Sequence, residues 1–333
     1  MSIVTSEFGK TKSGEETHLY TITNESCSLS VTDFGAVLVS VKVPDKNGNV
    51  EDVVLGCNDA LGYETESSHL GGTIGRNANR IAGASLVINK KEYLLEANNS
   101  CNNLHSGLDY YDKRMWQVKP IDDNSNEVCF VLKSPHMDQG YPGNLEVCVT
   151  YTLTDDNSVE ITYDAISDAD TIVNMTNHSY FNLSGDGNGT IENHKMWIDA
   201  DEYTPFDEES IPTGEIVSVE GTRFDFRTEH VIGEDYDHNW VLKNQGKLQL
   251  VATYSDEENG RVMEVFTDLP GIQVYTGNGL SQTGRGGEYT KHSAICFETQ
   301  YFPDSVHHEN FPSPILKAGE KYHSVTKYRF TVK

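Results

Sequence analysis

The sequence predicts an all-β protein, built as a large and mostly antiparallel β-sandwich. Three observations support this prediction. Apolar and polar residues alternate in many short runs, turn-forming residues separate these runs, and no amphipathic helix of four or more turns is evident. Without a rhythm of alternating strands and helices, antiparallel pairing is favoured over a parallel sheet.

The clearest alternation predicts a hairpin near the middle of the chain. Every second residue is apolar in 145–153 and again in 159–165, and the turn-forming residues 155–158 lie between these runs. A period of two places one side of each strand on a core. The same pattern predicts strands at 39–43, 128–132 and 328–332. Residues 58–67 are expected to contain a short helix.

The 333 residues contain no linker rich in Pro, Gly or Ser and no visible repeat. We therefore expect one domain spanning residues 1–333, with the first and last strands in the same body. The sequence leaves a monomer and a homodimer open.

The net charge of −26 argues against polyanionic partners. Nucleic acids and anionic membrane surfaces require clustered Lys and Arg, so we expect neither as a partner. A neutral small molecule remains compatible with this charge. Residues 1–10 do not resemble a signal peptide, and no apolar stretch approaches the length of a membrane span, so we expect a cytoplasmic protein.

The six cysteines form no Cys-x-x-Cys pair and are irregularly spaced. Because Cys129 and Cys148 lie in apolar strand-like runs, we expect buried, reduced thiols. The adjacent His307 and His308 would point to opposite faces of a strand, which argues against a shared metal ion. We therefore expect no metal site. The glycine-rich patch 284–287 lacks the strand–loop–helix frame of a phosphate site, and we expect no cofactor.

Glu298 is the most informative single residue. It lies in the apolar run 294–299, where an unpaired carboxylate is costly. Arg80 is either its structural partner or a ligand-binding group. Taken alone, a histidine in a sheet is more often structural than catalytic, and Asp237 has turn formation as an equally good explanation.

Read together, the polar segments resemble the aldose 1-epimerase family over nearly the whole chain and in the same order. The motifs that carry the resemblance are Gly75-Arg76-Asn77-Ala78-Asn79-Arg80, Asn103-Leu104-His105, Thr176-Asn177-His178-Ser179-Tyr180-Phe181-Asn182, Asp237-His238-Asn239, Gln273-Val274-Tyr275-Thr276-Gly277-Asn278 and Glu298-Thr299-Gln300. Two departures are Asn77, where the family often has Val, and Ser106, where Gly is common.

The resemblance implies an antiparallel β-sandwich with an open sugar cleft and a cofactor-free interconversion of the α and β anomers of free aldoses such as galactose and glucose. It implies that Glu298 is the catalytic base, His178 the catalytic acid and His105 a second active-site histidine. It also implies sugar contacts for four further residues, which are Asn79, Arg80, Asp237 and Gln273. In the productive form we expect Glu298 ionised and His178 protonated, since a carboxylate raises the pKa of a neighbouring imidazole.

Three other functions remain open at this point. A hexose-6-phosphate mutarotase would need a cationic cluster, for which Arg76, Arg80 and Arg285 are candidates. A glycosidase would use Asp237 and Glu298 as its two carboxylates. A non-catalytic sugar-binding module would need the polar residues without an acid–base pair. Aromatic residues near the motifs are candidates for stacking on a sugar, although core packing is the commoner role; they are Tyr180, Phe181 and Trp240.

Overall fold

The computed structural model describes residues 1–122 and 125–333, and β-strands dominate both parts. The strands of the first half are β1 (Ser2–Lys10), β2 (Glu16–Thr23), β3 (Ser28–Thr32), β4 (Leu38–Pro44), β5 (Val50–Asp52), β6 (Gly72–Ile74), β7 (Arg80–Ile81), β8 (Ser85–Ile88), β9 (Lys91–Leu94), β10 (Asn103–Leu104), β11 (Gln117–Val118), β12 (Glu127–Ser134), β13 (Leu145–Leu153), β14 (Ser158–Ser167) and β15 (Thr171–Ile172).

The strands of the second half are β16 (Thr176–His178), β17 (Tyr180–Phe181), β18 (Lys195–Ile198), β19 (Glu202–Thr204), β20 (Val217–Ser218), β21 (His230–Val231), β22 (Asp237–Val241), β23 (Gln249–Ser255), β24 (Arg261–Thr267), β25 (Gly271–Tyr275), β26 (Gln282–Gly284), β27 (Gly287–Tyr289), β28 (Ile295–Gln300), β29 (Ile315–Leu316) and β30 (Lys321–Val332). Four single-turn 3₁₀ helices are Ala82–Ala84, Tyr111–Lys113, Asp138–Gly140 and Ser305–His307.

The predicted short helix is confirmed as α1 (Ala60–Thr65). Asp59 caps it, because its side chain accepts a hydrogen bond from the backbone N–H of Gly62 at 2.8 Å. In the described part of the chain, no helix is long and apolar enough to cross a membrane.

Three sheets make up most of the molecule, and the strands of each pair antiparallel. The largest has nine strands in the order β11-β12-β13-β14-β30-β24-β23-β18-β21, the second has six in the order β17-β28-β25-β22-β19-β20, and the third has five in the order β1-β2-β3-β4-β5. The predicted central hairpin is β13 and β14, joined by a turn in which Asn157 has a φ of 59°. The prediction of an antiparallel all-β fold is confirmed.

The main core lies between these sheets. Its buried side chains come from the five-stranded, nine-stranded and six-stranded sheets alike, for example Ile22, Tyr163 and Phe297. The strands contribute alternate residues to this core, as the sequence pattern predicts. The long strand β30, near the end of the chain, pairs with both β14 and β24 and so joins the two halves of the nine-stranded sheet.

The same alternation corrects one expectation about the cysteines. Cys27, Cys57 and Cys296 are buried free thiols, but Cys101 is exposed, and Cys129 and Cys148 are half-buried. In β12 the inward positions belong to Val128 and Phe130, so Cys129 lies on the outer face of the sheet. The apolar surroundings of Cys129 and Cys148 in the sequence therefore did not indicate which face of the strand their side chains occupy.

Candidate active site

One face of the six-stranded sheet carries the carboxylates of the predicted site. Glu298 in β28 lies opposite Gln273 in β25, and Tyr275 in β25 lies opposite both Cys296 and Asp237. Residues opposite each other, or two apart on one strand, project from the same face. Gln273 Nε2 donates a hydrogen bond to Asp237 Oδ1 at 2.7 Å. The register of three short strands therefore sets the relative position of these groups.

His178 reaches the same face from the end of β16, where it pairs with Gly72 of β6. Its Nε2 lies 3.7 Å from Glu298 Oε1, and its Nδ1 lies 3.5 Å from Cys296 Sγ. The imidazole stacks on the Tyr180 ring at a centroid distance of 5.0 Å. A separation of 3.7 Å is too long for a hydrogen bond. Glu298 Oε2 is buried and has no partner among the described residues, so the carboxyl group is available to a ligand.

Two loops bring Asn79 and His105 close to His178, since the ring centroids of His105 and His178 lie 5.5 Å apart. The backbone N–H of Asn79 donates to His105 Nδ1 at 3.2 Å, and the N–H of His105 donates to the Asn79 carbonyl at 3.1 Å. Because Nδ1 accepts a hydrogen bond, the proton of the neutral ring lies on Nε2. Both residues have positive φ, 62° for Asn79 and 53° for His105. Such conformations cost about 1–3 kcal/mol and cluster at functional sites.

Six of the seven predicted residues line one cavity of about 340 Å³, which is within the range typical of small-molecule sites. The seventh, Gln273, is buried and does not line the cavity, but it donates a hydrogen bond to Asp237, which does. The full lining comprises Ser67, Ser68, His69, Asn79, Arg80, Leu104, His105, Tyr110, His178, Tyr180, Asp237, Tyr275, Gly279 and Glu298.

Of the three aromatic candidates, only Tyr180 lines the cavity. Phe181 and Trp240 are fully buried in the main core, so the stacking role considered for them is wrong. Tyr110 and Tyr275 line the cavity instead. The strand alternation accounts for Phe181, which points away from the face that Tyr180 shares with the site.

His69 is the clearest residue that the sequence did not reveal. Its ring lies 5.2 Å from that of His105 and 6.0 Å from that of His178, measured between centroids. It follows α1 in a loop that matches no quoted motif. Its partner Asp112 lies 43 residues further along the chain, so only the fold brings the pair together.

Burial dominates the electrostatics of the site. It raises the pKa of Glu298 well above its usual value, and the Asp237 carboxyl raises it further while Arg80 opposes the shift. Burial also raises the pKa of Asp237. It lowers the pKa of His178 from 6.5 to about 3, with help from the charge of His69, and holds the pKa of His105 well below its usual value.

Burial therefore favours the uncharged forms of both groups, which are the protonated carboxyl of Glu298 and the unprotonated imidazole of His178. The charged forms expected for the productive state stay a prediction, because without a ligand the cost of burying two charges opposes the attraction of a pair 3.7 Å apart. The charged pair and the uncharged pair hold the same number of protons. They differ only in whether one proton lies on His178 or on Glu298.

Cys296, His178 and Glu298 also form a candidate set of metal donors in the described part of the chain, with one donor atom from each within 4.8 Å of the others. The thiol faces Nδ1 of the imidazole and the carboxyl faces Nε2. Since one ion binds one nitrogen of a given ring, this ring orientation does not direct all three donors at a single point. The arrangement suits proton transfer better than coordination.

Comparisons with known proteins agree with this geometry. A family model described as aldose 1-epimerase matches residues 18–329. The galactose mutarotase of Mus musculus is 40% identical over 100% of this chain and 99% of its own length. The aldose 1-epimerase of Escherichia coli K12 is 38% identical, with 95% of this chain and 96% of that protein covered.

Solved structures give the same result. An aldose epimerase homologue from C. elegans superimposes with a TM-score of 0.89 at 30% identity, over 95% of this chain and 99% of that one. A galactose 1-epimerase from Lactobacillus acidophilus has a TM-score of 0.87 at 28% identity, over 99% of each chain. Sequence and structure match over nearly the full length, and the chain therefore belongs to the aldose 1-epimerase family.

Proposed function

We propose that this protein is an aldose 1-epimerase that interconverts the α and β anomers of a free aldohexose. The observation that carries the proposal is the Glu298–His178 pair, held 3.7 Å apart at one wall of a cavity lined by hydroxyl-binding groups. The names of the relatives, galactose mutarotase and aldose 1-epimerase, support the same reaction.

The reaction needs only two proton transfers. In ring opening, ionised Glu298 takes the proton of the C1 hydroxyl, and protonated His178 gives a proton to the ring oxygen. The aldehyde then turns about the C1–C2 bond. In ring closure, protonated Glu298 returns its proton to the carbonyl oxygen, and neutral His178 accepts the proton of the C5 hydroxyl. The pair thus needs one proton in total, and the form that burial favours, with this proton on Glu298, is the one that closes the ring.

The surrounding residues suit recognition of hydroxyl groups. Asp237 accepts hydrogen bonds, and the Nε2–H of His105 donates one. Arg80 Nε donates a hydrogen bond to Asn99 Oδ1 at 3.2 Å. The other guanidinium nitrogens of Arg80 remain as donors beside the carboxyl groups of Glu298 and Asp237. Hydroxyl contacts made by Glu298 stabilise its ionised form, so sugar binding moves the shared proton towards His178.

Polarimetry tests the proposed reaction and the role of Glu298. We expect the protein to accelerate the approach of fresh α-glucose or α-galactose to equilibrium. Glu298→Gln keeps the shape of the side chain but removes the base, and should lower kcat by about 10²–10⁴-fold. The matched control Glu288→Gln changes an exposed residue of β27 and should retain the wild-type rate.

A wild-type protein that leaves the buffer rate unchanged, while still binding sugar, would identify a non-catalytic binding module. Full activity in Glu298→Gln would overturn the assignment of the base.

The structure disfavours the hexose-6-phosphate alternative. Arg76 is buried and donates to groups of the protein itself, and Arg285 is paired with Asp52 at 2.9 Å and Asp186 at 3.0 Å. Only Arg80 of the three candidates lines the cavity. A single cation beside the carboxyl groups of the site is a poor phosphate receptor. Comparing kcat/KM for glucose and glucose 6-phosphate tests this preference.

Asp237 and Glu298 line the same cavity, but the glycosidase alternative has less support than proton exchange, because an imidazole, that of His178, lies 3.7 Å from Glu298. Release of the phenol from an aryl glycoside would revive it.

The domain organisation, the cellular compartment and the oligomeric state are also part of the proposal. A main core that draws on all three large sheets supports a single domain over residues 1–333. Six free thiols suit a reducing compartment such as the cytoplasm. Sedimentation analysis distinguishes the proposed monomer or homodimer, and limited proteolysis that released a stable fragment would contradict the single domain.

A further inference from the structure

His69 lies at the wall of the cavity beside the two histidines already discussed. Its ring edge contacts Tyr110 at a centroid distance of 4.6 Å, and its side chain is 11% exposed. Its φ of 58° places the backbone in the left-handed region, which residues with a Cβ rarely adopt. The chain therefore adopts an unfavourable conformation that brings this imidazole to the cavity.

Asp112 holds the His69 ring in one orientation. His69 Nδ1 lies 3.0 Å from Asp112 Oδ2, and Lys113 Nζ lies 3.3 Å from the same oxygen. Burial alone would raise the pKa of Asp112, but His69 and Lys113 outweigh it and hold this pKa well below the usual value. The carboxylate is therefore ionised and accepts the Nδ1–H of the ring.

Gly72 makes room for this carboxylate. A Cβ at position 72 would lie 2.7 Å from the Cβ of Asp112, which is closer than real Cβ contacts. Gly72 also pairs with His178 across β6 and β16. Strand β6 thus pairs with the strand that carries His178, the proposed catalytic acid, and also leaves space for the carboxylate that orients His69.

With Nδ1 engaged, Nε2 is the remaining polar atom of the ring. Among the described residues it has no hydrogen-bond partner, although Nδ1 has one. Since His69 lines the cavity, this nitrogen is available to a ligand there.

We propose that His69 is a specificity-determining residue whose Nε2 forms a hydrogen bond with one hydroxyl group of the bound sugar, in an orientation set by Asp112. The inference rests on the proposed function and extends it to the choice of substrate. A site with an oriented polar group discriminates against a sugar that lacks the matching hydroxyl, because the group is then left unpaired.

Two variants separate the nitrogens of the ring. His69→Asn places an amide near the position of Nδ1, so it keeps the bond to Asp112 but has no atom at Nε2, and Asn tolerates the left-handed conformation. His69→Gln reaches the position of Nε2 but does not match Nδ1. The matched control is His323→Asn, which changes an exposed histidine bound to Asp164 on the outer face of the nine-stranded sheet.

The measurement is kcat/KM for glucose and for four monodeoxy analogues that lack the hydroxyl at C2, C3, C4 or C6. The wild-type protein should discriminate against one analogue by about tenfold through this bond. His69→Asn should reduce that ratio to within about twofold of unity and leave the other three ratios unchanged, as in a double-mutant cycle. His69→Gln should retain part of the discrimination, and His323→Asn all of it.

An equal loss on all five sugars in His69→Asn would overturn the proposal, because it would show that His69 only supports the other two imidazoles. Five unchanged values would overturn it as well. Calorimetric dissociation constants for the same sugars separate this inference from the proposed function. Discrimination that appears in Kd without any catalysis contradicts only the mutarotase reaction, whereas no binding of any of the five sugars contradicts both.

Discussion

At the scale of single residues, the site is governed by the burial of ionisable groups. Glu298 and His178 are both almost inaccessible to solvent, and their pKa values move in opposite directions for the same reason. The pair shares one proton, which burial places on Glu298 and which hydroxyl contacts from a bound sugar move towards His178. This suits a reaction whose forward and reverse halves exchange the roles of acid and base.

The pH dependence of kcat/KM tests this description. The free site is active while the pair holds one proton. Raising the pH through the elevated pKa of Glu298 removes that proton, so activity should fall on the alkaline side. On the acid side a second proton enters only as the pH approaches the His178 pKa of about 3. Polarimetric rates, corrected for buffer catalysis, should therefore stay level down to about pH 4.

An acid limb centred near the usual histidine pKa of 6.5 would contradict this description, because it would show that His178 is not desolvated in the free protein.

At the scale of secondary structure elements, the loops that carry the site are attached by polar side chains. The hydroxyl of Ser106 accepts from the backbone N–H of Asn77 at 2.8 Å and donates to its carbonyl at 3.1 Å. These are the two positions that depart from the family pattern, and they contact each other. A Gly at position 106 would leave both backbone groups of residue 77 without this partner. Their role is to join two loops, and neither lines the cavity.

Arg76 attaches the same loop to the connection between β12 and β13 and to β15. Its guanidinium donates to the carbonyl oxygens of Ser134, Pro135, Pro142 and Gly143 and to the hydroxyls of Ser134 and Thr171. Lys has three donors on a flexible stem and does not match this fork. Arg76→Lys should therefore reduce the free energy of unfolding by about 3 kcal/mol, as measured by urea denaturation.

The control for this prediction is Arg329→Lys, which changes a half-exposed ion pair with Glu264 and should cost less than about 1 kcal/mol. Similar losses in both variants would show that the buried hydrogen bonds of Arg76 contribute little.

The elements also show what the sequence can and cannot predict. Period-two alternation predicts β13 and β14 closely, because one face of each strand is buried. Glu298 is recognisable because a carboxylate in an apolar strand is costly. His69 is not, because its role depends on a loop conformation and on a partner distant in sequence. The burial that lowers the pKa of His178 is not recognisable either, since local sequence does not show how deeply a ring is buried.

At the scale of the whole molecule, the net charge of −26 should make the stability of the fold depend on salt, whereas the rate of catalysis should not depend on it. Like charges on the surface repel each other and destabilise the compact state, and salt screens them. Raising NaCl from about 10 to about 200 mM should raise the Tm by about 2–4 °C in a thermal unfolding experiment. A neutral aldose is not steered by the surface field, so kcat/KM should stay constant over the same range.

A kcat/KM for the neutral aldose that changed strongly with salt would contradict this separation, because it would show that salt acts on the site itself. A Tm that fell with salt would show that surface attraction, rather than repulsion, dominates the stability of the protein.

The division of the site between sheet and loops has a consequence for how the protein can change. Glu298 and Asp237 sit in hydrogen-bonded strands whose register cannot slip without turning every side chain to the other face. His69 and His105 sit in connections outside the large sheets. With the roles proposed for these residues, mutations in those connections should alter which sugar is accepted and leave the proton transfer between Glu298 and His178 intact. Selection for new aldoses, in nature or in a laboratory library, should therefore accumulate changes around His69 and spare β28.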